Sequence, residues 1–292
     1  MPVVTTRDVP VRPTVIHGGV LLLLGVPLLL ILLTLGQLCR SVWFADGSPL
    51  SYQAFLPLGA LALAWHRRRE LVTIVSELAT LFPDPNHPKR RGNESLVLIG
   101  GVLLLVGILA ALPPLGLLGF LVVVTGVVFY LWGPFVVRGL RGPLGYLLLT
   151  LLPPPMAGIT GRLGTEFHLR NVAFAGYVLK ASVQGTMITP QGQNPLYVPA
   201  SFGGLETLLA ALAFSVLVIL WHPLRLGAAL LMLFTAVVLA LVLNVVRVLL
   251  LVKLQDARWL PLLPTLLVAM AALWFLGRFL ARRQGAQEER LG

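Results

Sequence analysis

From Leu226 to Val252 the chain runs for 27 residues with one charge, Arg247, and two other polar side chains, Thr235 and Asn244. A helix of that length is about 40 Å long, more than the hydrocarbon thickness of a bilayer. The pattern recurs near residues 14–38, 51–65, 95–112, 115–134, 142–153, 201–221 and 259–277. With 57% hydrophobic and 11% charged residues, and a mean hydropathy of +0.90, the chain lies far outside the range of soluble domains. The expectation is an all-α, polytopic integral membrane protein with seven or eight transmembrane helices and a short irregular loop on its outer face. The spans at 51–65 and 142–153 are short, and the second ends at Pro153-Pro154-Pro155, which suits a half-buried or re-entrant segment.

A net charge of +11 raises the question of nucleic acid. The basic residues, however, fall between apolar spans, where the positive-inside rule expects them, so no nucleic-acid partner is implied. Placing His66-Arg67-Arg68-Arg69 and Lys89-Arg90-Arg91 in the cytoplasm, and following the spans onward, puts fifteen of the 22 Lys and Arg on that side. The expected setting is the cytoplasmic (inner) membrane, with both termini cytoplasmic. The first apolar run, Thr14 to Leu38, is too long for a signal-peptide core and reads as a transmembrane helix. The single Cys39 excludes an intramolecular disulfide and any multi-cysteine metal site.

One polar island interrupts this pattern. Residues 185–208 read GTMITPQGQNPLYVPASFGGLETL, rich in turn formers, with room for a short hairpin. Before it, Gly161 to Gln184 carries Arg162, Glu166, His168, Arg170 and Lys180 among apolar residues, which is too polar to span and reads as an amphipathic or partly embedded helix. On the cytoplasmic side Glu70 to Phe82 is apolar at helical spacing and precedes a proline-rich turn, an interfacial helix by the same logic.

The topology collects polar residues beside the island. Asn244 and Arg247 are helical neighbours at i and i+3 near the outer end of their span, and Arg258 opens the last one. Ser201, Gly203, Gly204 and Glu206 open the sixth span at the same level. An arginine at the centre of a bilayer costs roughly 2.5–3.5 kcal/mol on insertion scales, so Arg247 is a functional candidate. Snorkelling of its long side chain to the headgroups is the competing account. None of the five histidines is paired at metal-ligand spacing, and the topology leaves only His168 facing outward, which disfavours a zinc site or a Ser-His-Asp triad. No cofactor is implied.

These residues resemble the exosortase/archaeosortase family, membrane-embedded transpeptidases that cut a C-terminal sorting segment from surface proteins. That family's pattern is a glycine-rich outer loop, Val-x-x-Ala-Cys-Ser-Gly-Leu opening a helix, Asn-x-x-Arg in the next helix, and a His or Arg near the start of the last. Here Gly185 to Leu208 resembles the first part, Asn244-Val-Val-Arg247 the second and Arg258 the third. The resemblance divides a single membrane domain, 1–292, into N-terminal helices (1–141), an exosortase-like core (142–283) and a polar, basic tail (284–292).

The cysteine is missing. Aligning Gly204-Leu205 on the family's Gly-Leu without a gap puts Phe202 in the nucleophile position, and a one-residue shift puts Ser201 there. A thiolate beside Arg is easily formed, whereas a serine hydroxyl needs a general base, which an always-charged Arg cannot be. Glu206 is the nearest candidate. The resemblance implies a membrane protease or transpeptidase in which Ser201 replaces Cys as nucleophile, Arg247 and Arg258 assist, and Asn244, Glu206, Gly203 and Gly204 shape the substrate site. Its partners would be membrane lipids and the C-terminal sorting tail of an exported protein. The alternatives are an inactive relative that binds such tails or scaffolds secretion, and a transporter or lipid-modifying enzyme that holds a lipid phosphate between Arg247 and Arg258.

Overall fold

Helices dominate the computed structural model, which describes residues 53, 55–84, 94–110, 112–151, 157–192, 194–199, 202, 204–254 and 262–291. The expected first span at 14–38, Cys39, Lys89-Arg90-Arg91, Pro153-Pro154-Pro155, Ser201, Gly203 and Arg258 lie outside the described residues. In chain order the elements are α1 (Leu56–His66), α2 (Arg68–Leu81), α3 (Ser95–Leu109), α4 (Pro113–Gly139), α5 (Arg141–Leu147) with a 3-10 turn (Leu148–Leu151), and α6 (Ala157–Leu179). Then come β1 (Ser182–Gln184), β2 (Met187–Thr189), β3 (Leu196–Tyr197), α7 (Leu205–Trp221), α8 (Leu226–Leu254) and α9 (Leu262–Leu291). Two helical stretches among the described residues, Leu115–Gly139 and Leu226–Leu254, are long and apolar enough to cross a membrane, and α1, α3 and α7 are shorter apolar helices.

Glycine sets how closely α3 and α4 approach. A Cβ on Gly107 or Gly119 would run into the backbone of the opposing helix, and one on Gly100 would meet the Val123 amide nitrogen at 2.5 Å. Apolar helices in lipid gain little from hydrophobic burial against each other, so such close backbone packing is what holds a hairpin of this kind together. Pro113 and Pro114 begin α4, where their missing N–H groups cost nothing. Further along, Gly133 leaves helical geometry (φ 75°) immediately before Pro134, and α4 kinks there.

Three apolar clusters organise the bundle, and α7 takes part in two of them. Leu56, Leu63, Leu104, Phe120, Tyr146 and Ala210 join α1, α3, α4, α5 and α7. Ala211, Val218, Met232, Ala236 and Leu273 join α7, α8 and α9. The third cluster lies beneath the strands: Val172 and Ala175 of α6, Ile188 of β2, Val198, Phe202, and Val248, Leu251 and Val252 of α8. Large apolar side chains on the periphery stay uncovered, among them Val102, Phe234 and Phe275, which are 61%, 66% and 68% exposed. That much exposed apolar surface suits lipid rather than water.

The loop expected to be irregular is instead a three-stranded antiparallel sheet in the order β1-β2-β3. Gln184 pairs with Met187, leaving Gly185-Thr186 as a two-residue turn with the glycine at φ 60°. Met187 pairs with Tyr197, and Ile188 with Leu196, so the chain reverses direction between β2 and β3. Ile188 and Val198 are fully buried, so the sheet forms because its inner residues close the third cluster.

Candidate functional site beneath the sheet

The amphipathic reading of α6 holds, but the helix begins at Ala157, four residues before the expected Gly161, and ends at Leu179, leaving Ser182–Gln184 to form β1. His168, Asn171, Val172, Ala175 and Gly176 are buried along one face, at i, i+3, i+4, i+7 and i+8, while Arg162, Glu166 and Arg170 stay exposed on the other. Arg170 and Glu166 face each other across one turn at 3.8 Å, a contact that water screens. The buried face leads to α7 at Gly164, where an added Cβ would lie 3.8 Å from Leu205 Cδ2, and to the sheet at Gly176, where it would meet Val183.

His168 ties this helix to the segment that enters α7. Its Nε2 lies 3.1 Å from the Val198 carbonyl oxygen, and because a carbonyl can only accept, Nε2 carries the proton. Nδ1 is buried and has no hydrogen bond. Burial holds the imidazole below its ordinary pKa near 6.5, and the bond to Val198 offsets part of that shift.

Arg247 lies seven residues before the end of α8, about 10 Å along the helix axis. It does not snorkel. The side chain is 1% exposed, Nη1 donates to Thr207 Oγ1 at 2.9 Å, and the guanidinium lies 4.9 Å from the centre of the Phe202 ring. Phe202 is itself 3% exposed, so it offers its face to the cation in a desolvated setting, where such a contact is worth about 2 kcal/mol. Glu206, half-buried in the first turn of α7, adds a favourable electrostatic interaction with Arg247.

Asn244 is fully buried one turn away. Its Nδ2 donates to the Phe202 carbonyl at 3.3 Å, and its Oδ1 has no hydrogen bond. The carboxamide occupies the space where a Cβ on Gly204 would be, and Gly204 caps α7 at φ 84°. Glycine is required there twice over, for its backbone angle and for the amide packed against it.

Of the residues picked from sequence, the fold brings Asn244, Arg247, Gly204 and Glu206 together. Ser201, Gly203 and Arg258 lie outside the described residues. Sequence reasoning missed Thr207, whose signal was a hydroxyl in the first turn of an apolar helix. It also set His168 aside for lack of a partner at ligand spacing, although a buried backbone carbonyl was the partner. Among the described residues no group of three or more His, Cys, Asp or Glu is placed to hold a metal ion.

The site combines a buried cation, an aromatic face and an unsatisfied amide oxygen, set under a sheet and flanked by a neutral imidazole. Such a set can orient a polar backbone or bind a carboxylate or phosphate. No curated protein and no solved structure matches the chain. Residues 43–259 match the family model described as transmembrane exosortase, a region that contains the sheet, Phe202, Asn244 and Arg247. The chain therefore belongs to the transmembrane exosortase family.

Proposed function

We propose that the protein binds the C-terminal sorting tails of exported proteins at the outer face of the cytoplasmic membrane without cutting them. The observation that carries this reading is the Phe202 ring against Arg247, buried at 3% exposure. In the gap-free comparison with the family pattern, Phe202 stands where the cysteine belongs. An aromatic ring cannot form an acyl intermediate, and it fills the space beside the guanidinium that a thiolate would need. What remains suits recognition: half-buried Glu206 at the rim and the sheet with exposed Tyr197 above, resting on a floor that buried Arg247 and Asn244 hold in shape.

A tail of short motif, apolar helix and basic end would lie along the bundle with its motif at this floor. Arg258, expected from the sequence to open the last span at the same level, would add a second cation.

One observation favours cutting by Ser201 instead. His168 is a neutral imidazole whose Nδ1 carries no hydrogen bond, on a helix bonded to Val198, three residues before Ser201. It offers the base that the sequence alone lacked.

Quantitative comparison of protein C termini in cells with and without this protein separates the two. The binding reading expects the same C termini in both, with tail-bearing clients mislocalised when the protein is missing. Shortened C termini that depend on the protein, and that disappear with Ser201→Ala, would establish cutting.

A further inference from the structure

A second site lies at the end of the bundle away from the sheet. His66 stacks on Trp221 with ring centroids 4.3 Å apart, which places the α1–α2 junction at the far end of α7. There α2 packs against α4, with a Cβ on Gly139 falling 2.9 Å from Leu71 Cδ2. Between them opens a groove of about 490 Å³. Arg67, Arg138 and Arg141 line it together with Ile74, Leu81 and Phe135. The volume is in the range of small-molecule and lipid sites.

We propose that this groove binds an anionic phospholipid, with the phosphate held by Arg67, Arg138 and Arg141 and an acyl chain laid along Ile74, Leu81 and Phe135. None of the three guanidinium groups is ion-paired with a carboxylate of the described residues. Arg67 reaches across to α5, its guanidinium carbon 3.6 Å from where a Cβ on buried Gly142 would lie. Glu70 and Glu77 also line the groove, so three positive charges against two negative leave one net positive charge, which matches a singly charged phosphodiester. Guanidinium forks suit phosphate oxygens, and Glu70, one turn from Arg67, is an acceptor for a headgroup hydroxyl such as glycerol's.

The apolar half of the site has its own support. Along α2, Val72 and Leu81 are 67% and 71% exposed, and Phe135 of α4 is 39% exposed. An amphipathic helix with that exposure lies in a membrane interface, where basic pockets between helices collect anionic headgroups. A hydrophobic wall beside an arginine cluster fits one amphiphile better than it fits a soluble anion.

The test uses full-length protein in a neutral maltoside detergent, with thermal unfolding and native mass spectrometry as readouts. Phosphatidylglycerol is expected to raise the Tm by several degrees and to remain bound at one molecule per chain, while phosphatidylcholine and inorganic phosphate do neither. The double variant Arg138→Gln with Arg141→Gln is expected to bind phosphatidylglycerol about tenfold more weakly, whereas Arg282→Gln, on exposed α9 surface, binds as the parent does. Ile74→Trp fills the groove without touching its charges and is expected to exclude the lipid, which gives a second readout if the double variant folds poorly. Equal stabilisation by phosphatidylcholine, an equal effect of inorganic phosphate alone, or unchanged binding in the arginine and Ile74 variants would overturn the proposal.

Discussion

Arg247 is held by contacts that can each be removed singly. Thr207 accepts from its Nη1, Phe202 faces its guanidinium, and Asn244 supports the Phe202 backbone from one turn away. Thr207→Val takes away a buried acceptor and keeps the shape, so it is expected to cost about 1–3 kcal/mol, read as a lower Tm in detergent. Gly204→Ala places a methyl group into the Asn244 carboxamide and forces a residue with a Cβ to φ 84°. It is expected to cost roughly 1–2 kcal/mol from the backbone angle alone. Combining it with Asn244→Ala is expected to recover part of the loss, so the double variant is more stable than the two single effects predict. Additive losses would show that the amide and the glycine do not share that space.

His168 gives the same scale a pH dependence. Its folded-state pKa is depressed below the ordinary value near 6.5, chiefly by burial, so the unfolded chain takes up a proton first as the pH falls. The contribution is complete above pH 6.5 and is lost as the pH drops from there towards the folded-state pKa. His168→Gln can still donate to the Val198 carbonyl but cannot titrate. Thermal unfolding between pH 7.5 and 5 is expected to show a steeper fall for the parent than for this variant, and parallel curves would remove His168 as the cause.

Among the elements, the long apolar helices were readable because their period and length leave no alternative. Helices α3, α4, α7 and α8 lie within a few residues of the apolar runs 95–112, 115–134, 201–221 and 226–252. The sheet was only half readable. Turn formers such as Gly185 and Pro190 announced a hairpin, but β1, β2 and β3 have only three, three and two residues, too few for alternation to register. What stabilises them is Ile188 and Val198 closing over α6 and α8, a contact between distant segments that no local pattern encodes. The Gly133-Pro134 kink in α4 was likewise in plain view and unread, because proline is common in apolar spans. The α3–α4 hairpin supplies the element-scale prediction. Gly119→Val must push the opposing backbone at Leu104 aside, which separates the helices. It is expected to lower the yield of folded protein in detergent sharply, whereas Gly101→Val, with open space around its Cβ position, is expected to leave the yield unchanged.

For the whole molecule, the sequence pattern and the family match agree on a transmembrane exosortase, and the fold gathers the buried part of the family signature beneath one sheet. The half of the site that reads as Asn-x-x-Arg was legible because charge in an apolar helix is rare. The other half was not, because the choice between Ser201 and Phe202 depends on which side chain faces Arg247. Phe202 does so. The claim that follows, binding of sorting tails without cleavage, is tested most directly by installing a photo-crosslinking amino acid at Tyr197, which is 57% exposed on β3, and determining the C-terminal sequence of the chain it captures in native membranes. The account predicts a client that retains its entire tail, both in the parent and in Ser201→Ala. A client that is truncated in the parent and full-length in Ser201→Ala would contradict it.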